Sequence, residues 1–181
     1  MIATDAVMLV LRIFHIVGGV LWVGSAFFFV AFLGPATGMV GPEVSGPLFQ
    51  TLVAKMHVPR IITGLGFTTV VAGWLMWLRD LNVYADWNVG DWIFHTSNFG
   101  LVLTIGAVLA TIAAFEGSIG VGKNVERITE LGGQIAASGG PPTPEQQSRM
   151  QMLQQHVRKH GQTDIVLLLL AVLAMATARY W

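Results

Sequence analysis

LRIFHIVGGVLWVGSAFFFVAFL, residues 11–33, is the stretch that decides the fold. It is apolar almost throughout, yet it carries Arg12 and His15 one helical turn apart, with Gly18 and Gly19 in the next turn. About 20 apolar residues suffice to cross a bilayer as a helix. In lipid every backbone N–H and C=O must be paired internally, which a helix does by itself. The reading is therefore a membrane span over residues 8–33, ending at Gly34-Pro35. Its first charge is Asp5 rather than a basic cluster, and no small-residue cleavage site follows, so a retained helix is expected rather than a removed leader.

Three further stretches, about residues 59–78, 99–121 and 163–178, are apolar enough to follow it across. The composition agrees. Of 181 residues 54% are apolar and 11% charged, against roughly 25% charged in an ordinary soluble domain. The fold class expected is all-α, a four-helix bundle in the lipid bilayer forming a single transmembrane domain over residues 1–181. A formal net charge of zero gives no basic field for nucleic acid. The absence of cysteine excludes disulfides, thiolate metal sites and covalent c-type haem attachment.

Lys and Arg set the expected orientation. With both termini outside, Lys55, Arg60, Lys123, Arg127, Arg149, Arg158 and Lys159 lie inside, while Arg12, Arg79 and Arg179 lie outside. Residues 80–98 carry aspartates and no Lys or Arg, as an outer loop would. Trp74, Trp77, Tyr84, Trp87, Trp92, Tyr180 and Trp181 then read as an outer aromatic belt. This is the topology of a multi-pass protein of the inner (plasma) membrane. Residues 34–47, rich in Gly and Pro, are expected to be irregular, and residues 48–58 to form a short interfacial helix. Pro59 either starts the second span or kinks a longer helix. Residues 122–160 read as a long cytoplasmic hairpin between the third and fourth spans. Its second arm is announced by Thr143, Pro144 and Gln146, an N-cap, a first-turn proline and a capping-box partner.

Candidate chemistry starts from the first helix. Arg12, His15, Gly19 and Trp22 fall along one stripe, and ionisable residues inside a span mark functional sites by default. His15 can ligate a metal. Gly18 and Gly19 either open space beside its ring for a flat cofactor or serve ordinary close packing of helices. At similar depth stand Met8, Met76, Met175 and His95. His/Met and His/His pairs both ligate haem, and thioethers with imidazole suit Cu(I); methionine is equally a packing residue. Arg12 is placed to hold a haem propionate or to snorkel to headgroups. A second polar set lies at the inner boundary, where Arg60, Glu116 and Asp164 are expected to neutralise one another, with a proton path as the alternative. His57, His156 and His160 are expected to be solvated there.

LRIFHIVGGVLWVGSAFFFVAFLGP, residues 11–35, resembles the first helix of the CopD-like membrane family and of the related HemJ-type protoporphyrinogen oxidases, both of which lead a histidine-bearing helix into a Trp-x-Gly segment, here Trp22-Val23-Gly24. The HemJ resemblance implies four helices and a haem site at His15. The CopD resemblance implies copper handling. The HemJ pattern places a lysine at the start of the third helix, and WIFHTSNFGLVL, residues 92–103, has none. The leading expectation is a haem b-binding membrane protein with an electron-transfer or oxidoreductase role, linked to quinone or another membrane redox partner. In it His15 is the axial ligand, Gly18 and Gly19 clear the ring, Arg12 holds a propionate and Trp22 packs beside it. Two alternatives stand next to it: a copper protein using His15 with Met8, Met76 or Met175, and a non-catalytic subunit of a homo-oligomer or larger membrane complex.

Overall fold

The computed structural model describes residues 2–95 and 98–181. Among them every regular element is helical. Helices α1 (Ile2–Phe28), α2 (Gly34–Val40), α3 (Pro42–Phe49), α4 (Val58–Ala85), α5 (Val89–Phe94), α6 (Phe99–Phe115), α7 (Lys123–Ala137) and α8 (Pro144–Thr177) follow in chain order, with π-helical segments at Phe29–Leu33, Gln50–Lys55 and Glu116–Gly122. Among the described residues, four continuous runs are long and apolar enough to cross a membrane: Ala6–Val40, Val58–Ala85, Phe99–Ala137 and Pro144–Tyr180. Each contains one of the stretches expected to span, and the chain is built as a multi-pass membrane protein. Large apolar side chains such as Phe14, Val20, Val71 and Leu173 are exposed, as they would be in a hydrocarbon solvent.

The runs extend beyond the expected spans for local reasons. The first does not stop at Gly34-Pro35. It passes through the π-helical turn Phe29–Leu33, where the Gly34 N–H donates to the Phe29 carbonyl, into α2. Proline needs no N–H and fits a first helical turn, and Pro35 and Pro42 occupy that position in α2 and α3. Residues 34–47, expected to be irregular, are therefore helical except at the turn. Gly41 makes that turn at φ +75°, a conformation glycine adopts without steric cost. Pro59 falls in the first turn of α4 and starts it rather than kinking it. The capping box is formed: the Thr143 N–H donates to Gln146 Oε1 at 2.9 Å, and the Gln146 N–H donates to Thr143 Oγ1 at 3.2 Å.

The described chain divides into two compact units, one of Met1–Val23, Leu65–Ala114 and Val166–Trp181, the other of Gly24–Gly64 and Phe115–Ile165. The first unit is packed through small residues. On the α1–α4 side, a Cβ on Gly18 would lie 2.7 Å from Thr69 Oγ1, one on Gly66 would lie 2.8 Å from Trp22 Cε2, and one on Gly73 would lie 2.9 Å from His15 Cε1. Residue numbers rise on one helix as they fall on the other, so α1 and α4 run antiparallel. On the α6–α8 side, Gly106 faces Met175, Ala174 and the Ala171 carbonyl. Small residues let helix backbones approach, which replaces the hydrophobic driving force that lipid does not supply.

Tryptophan locks α4 to α6. Trp74 Nε1 donates to Thr111 Oγ1 at 2.9 Å, and Trp77 Nε1 donates to Thr104 Oγ1 at 2.8 Å. Trp92, from α5, also donates to Thr104 Oγ1 at 3.2 Å and is 0% exposed. Its ring meets Trp77 and Phe99 edge to face at 6.1 and 5.7 Å. Of the expected belt, Tyr84, Trp87, Tyr180 and Trp181 are exposed. Trp74, Trp77 and Trp92 instead turn inward, because each indole N–H finds a threonine hydroxyl there.

Two outcomes test this packing. Gly66→Leu displaces the Trp22 ring and should destabilise the protein by about 1–3 kcal/mol in a detergent unfolding series, whereas Gly24→Ala, with open space at its Cβ, should leave it unchanged. Thr104→Val removes the acceptor of the Trp77 and Trp92 indole N–H groups and should cost about 1–3 kcal/mol. Equal stability of Thr104→Val and the parent would contradict the inward placement of Trp77 and Trp92.

Candidate functional site around His15

The antiparallel glycine contacts of α1 and α4 fix His15. Its ring lies over Gly73, whose missing side chain makes the room. His15 Nδ1 is 2.8 Å from the Thr69 carbonyl oxygen. A carbonyl only accepts, so the proton sits on Nδ1, and in the neutral ring Nε2 carries the lone pair. This arrangement, one ring nitrogen donating to a backbone carbonyl and the other left basic, is the one that orients metal-ligating histidines. Thr69 thus acts through its backbone, while its own Oγ1 is buried with no hydrogen-bond partner among the described residues.

The stripe expected on α1 is only partly as read. Trp22 is 4% exposed and His15 half-buried, whereas Arg12 is exposed. The space beside Gly18 and Gly19 is not free. Thr69 fills it, with Oγ1 against Gly18 and Cγ2 3.4 Å from a Cβ on Gly19. Those glycines serve helix packing, the alternative their small size always allowed. Trp22 does not stand beside the imidazole but in the notch of Gly66, one turn before Thr69 in α4.

The other expected ligands are dispersed. Met8 is 7% exposed and Met76 half-buried. Met175 packs its Cγ against Gly106 on the α6–α8 side. The His95 side chain is 75% exposed and pairs with Asp91 at 2.9 Å. Among the described residues, no three His, Cys, Asp or Glu side chains converge as a metal site. For haem, the fit rests on His15 alone: a ring held in one orientation, with a basic Nε2, meets what an axial ligand needs. Gly18 offers no room for a porphyrin, because Thr69 occupies it.

The second polar set, in the other unit, is wired differently from the expectation. Arg60 Nε pairs with Glu126 Oε1 at 3.2 Å, across side chains 72% and 36% exposed, and at such exposure an ion pair adds little stability. Glu116 pairs with His160, Nδ1 to Oε1 at 2.5 Å. Asp164 is 5% exposed, and its Oδ1 is buried with no partner among the described residues. The expected Arg60–Glu116–Asp164 network is therefore not formed. Arg60 sits in the first turn of α4 with Glu126 of α7 in reach, and His160, expected to be solvated, takes the Glu116 carboxylate instead. Glycine was the available signal: Gly120 removes the side chain that would collide with the His160 ring, its Cβ lying 2.7 Å from Cγ.

Comparison of the chain with protein-family models, with curated proteins and with solved structures gives no match.

Proposed function

We propose that the protein is a haem b-binding membrane protein with an electron-transfer role, its iron ligated by His15 Nε2. The observation that carries this reading is the 2.8 Å hydrogen bond from His15 Nδ1 to the Thr69 carbonyl, which presents a fixed, basic nitrogen within an apolar unit. Haem bound there supplies one-electron exchange. The chain's own part is to hold the imidazole against Gly73, to keep its ring in one tautomer through Thr69, and to set an exposed cation, Arg12, one turn away for a propionate. The resemblance of residues 11–35 to haem- and copper-handling membrane families supports the same histidine. The Lys and Arg distribution supports both termini outside and the α7–α8 hairpin in the cytoplasm of a cell with its inner (plasma) membrane as the site, where a quinone or membrane redox partner would exchange the electron.

The purified protein in detergent should show a Soret band that shifts on reduction. His15→Ala should lower haem content by about tenfold or more, the scale on which even supporting residues of a metal site act. His95→Ala, in the exposed pair with Asp91, should leave the spectrum unchanged. A colourless protein without haem by mass spectrometry would overturn the proposal. Stoichiometric copper by elemental analysis, lost in Met175→Leu or Met76→Leu, would select the copper alternative.

A further inference from the structure

Four titratable side chains of the second unit form a series that the reading of His15 does not use. His156, His160 and Asp164 stand at successive four-residue intervals of α8, and Glu116 opens the π-helical segment Glu116–Gly122. Four-residue spacing puts the three α8 groups on one helix face. Their exposure falls along it: His156 is exposed, the His160 side chain is 35% exposed, and Asp164 is 5% exposed. His156 stands in the polar sequence QQHVRK, residues 154–159, so the series starts in an aqueous setting.

The members are in sequence by geometry as well. The rings of His156 and His160 meet edge to face with centroids 6.2 Å apart, a separation that one water bridges. His160 Nδ1 is 2.5 Å from Glu116 Oε1. Asp164 lies against Gly117, whose Cβ would come within 3.2 Å of Oδ2, and Gly117 is the residue next to Glu116 in the same π-helical segment. Beside the series, Val30 of Phe29–Leu33 faces Gly161, and Thr63 of α4 faces Gly122. Arg60, the cation expected in this set, is paired with Glu126. A buried carboxyl in a membrane helix, with one oxygen unpartnered among the described residues, marks a proton or ion pathway. The π-helical turn beside it is the kind of irregularity that gathers at functional positions.

We propose that Asp164, Glu116, His160 and His156 form a proton relay connecting a buried proton-holding carboxyl to one aqueous surface. A proton enters from water at His156 and passes to His160 at Nε2. His160 releases its Nδ1 proton to the Glu116 carboxylate, and Glu116 hands a proton on to Asp164 Oδ1. One proton leaves the water and one carboxylate becomes a carboxyl; His156 and Glu116 return to their starting states, while His160 is left as its Nε2–H tautomer and is reset when Nε2 gives its proton back to water and Nδ1 is reprotonated. The relay is independent of any cofactor at His15.

Time-resolved infrared spectroscopy of the full chain in lipid vesicles after a pH jump reads this directly. A carboxyl C=O band should rise and fall with pH and be lost in Asp164→Asn, a near-isosteric change. In His160→Gln the band should respond more slowly, on the order of 10²-fold, the contribution of a positioned proton-transfer group. His156→Gln, at an exposed position with little bearing on folding, should slow it in the same direction. A band that does not follow pH, a band that survives Asp164→Asn, or unchanged rates in both histidine variants would overturn the relay.

Discussion

An indole N–H inside an apolar helix pack has no water to turn to, and the first unit is arranged around that fact. Thr104 Oγ1 accepts from both Trp77 and Trp92 and itself donates to the Gly100 carbonyl at 2.6 Å. Thr111 does the same for Trp74 with the Ala107 carbonyl. Each hydroxyl is anchored on its own helix, so the acceptor is fixed before the tryptophan arrives. A buried donor left unmade costs more than the bond itself contributes. That asymmetry fixes how α4 lies on α6, and α5 closes over them because Trp92 needs the same hydroxyl. Asn88 caps that short helix, its Oδ1 accepting from the Gly90 and Asp91 N–H groups at 3.0 and 3.3 Å.

Glycine supplies the complementary constraint. Where tryptophan and threonine set direction, Gly18, Gly66, Gly73 and Gly106 set distance. The same contacts determine what the candidate site is. His15 is oriented because Gly73 admits its ring and because the Thr69 carbonyl, drawn close by Gly18, lies within reach of Nδ1. Fold and site are therefore the same interaction seen from two residues.

Length and apolarity carried the class: four spans and an all-helical chain follow from residues 11–33 and their three counterparts. Termination was less legible. Gly34-Pro35 reads as a stop by local chemistry, yet one π turn lets the helix continue, and no local propensity signals that turn. Single-residue readings fared by how local their partner is. Thr143 and Gln146 are three residues apart, and their box forms as read. Trp74, Trp77 and Trp92 have partners 37, 27 and 12 residues away in sequence, so a belt was the natural reading and the inward turn was invisible. At the site, His15 stood out as an ionisable residue in a span. Thr69 acts through a carbonyl that every residue owns, and sequence cannot single it out. His160 is one of several histidines near the surface by sequence, and only Gly120 on the facing segment brings it to Glu116.

The tryptophan arrangement also makes the protein its own optical gauge. Trp74 and Trp77 lie 5.3 Å apart, and Trp77 and Trp92 lie 6.1 Å apart, with ring planes inclined at 69° and 81°. Chromophores held so close and so steeply inclined share their excitation, and the resulting near-ultraviolet circular dichroism exists only while the rings keep fixed orientations. Trp87 and Trp181, exposed at 58% and 62%, emit from a different environment. Circular dichroism from the inner tryptophans and the emission colour of the outer ones thus report separately on the packed interior and the surface of the same unit, without any added label.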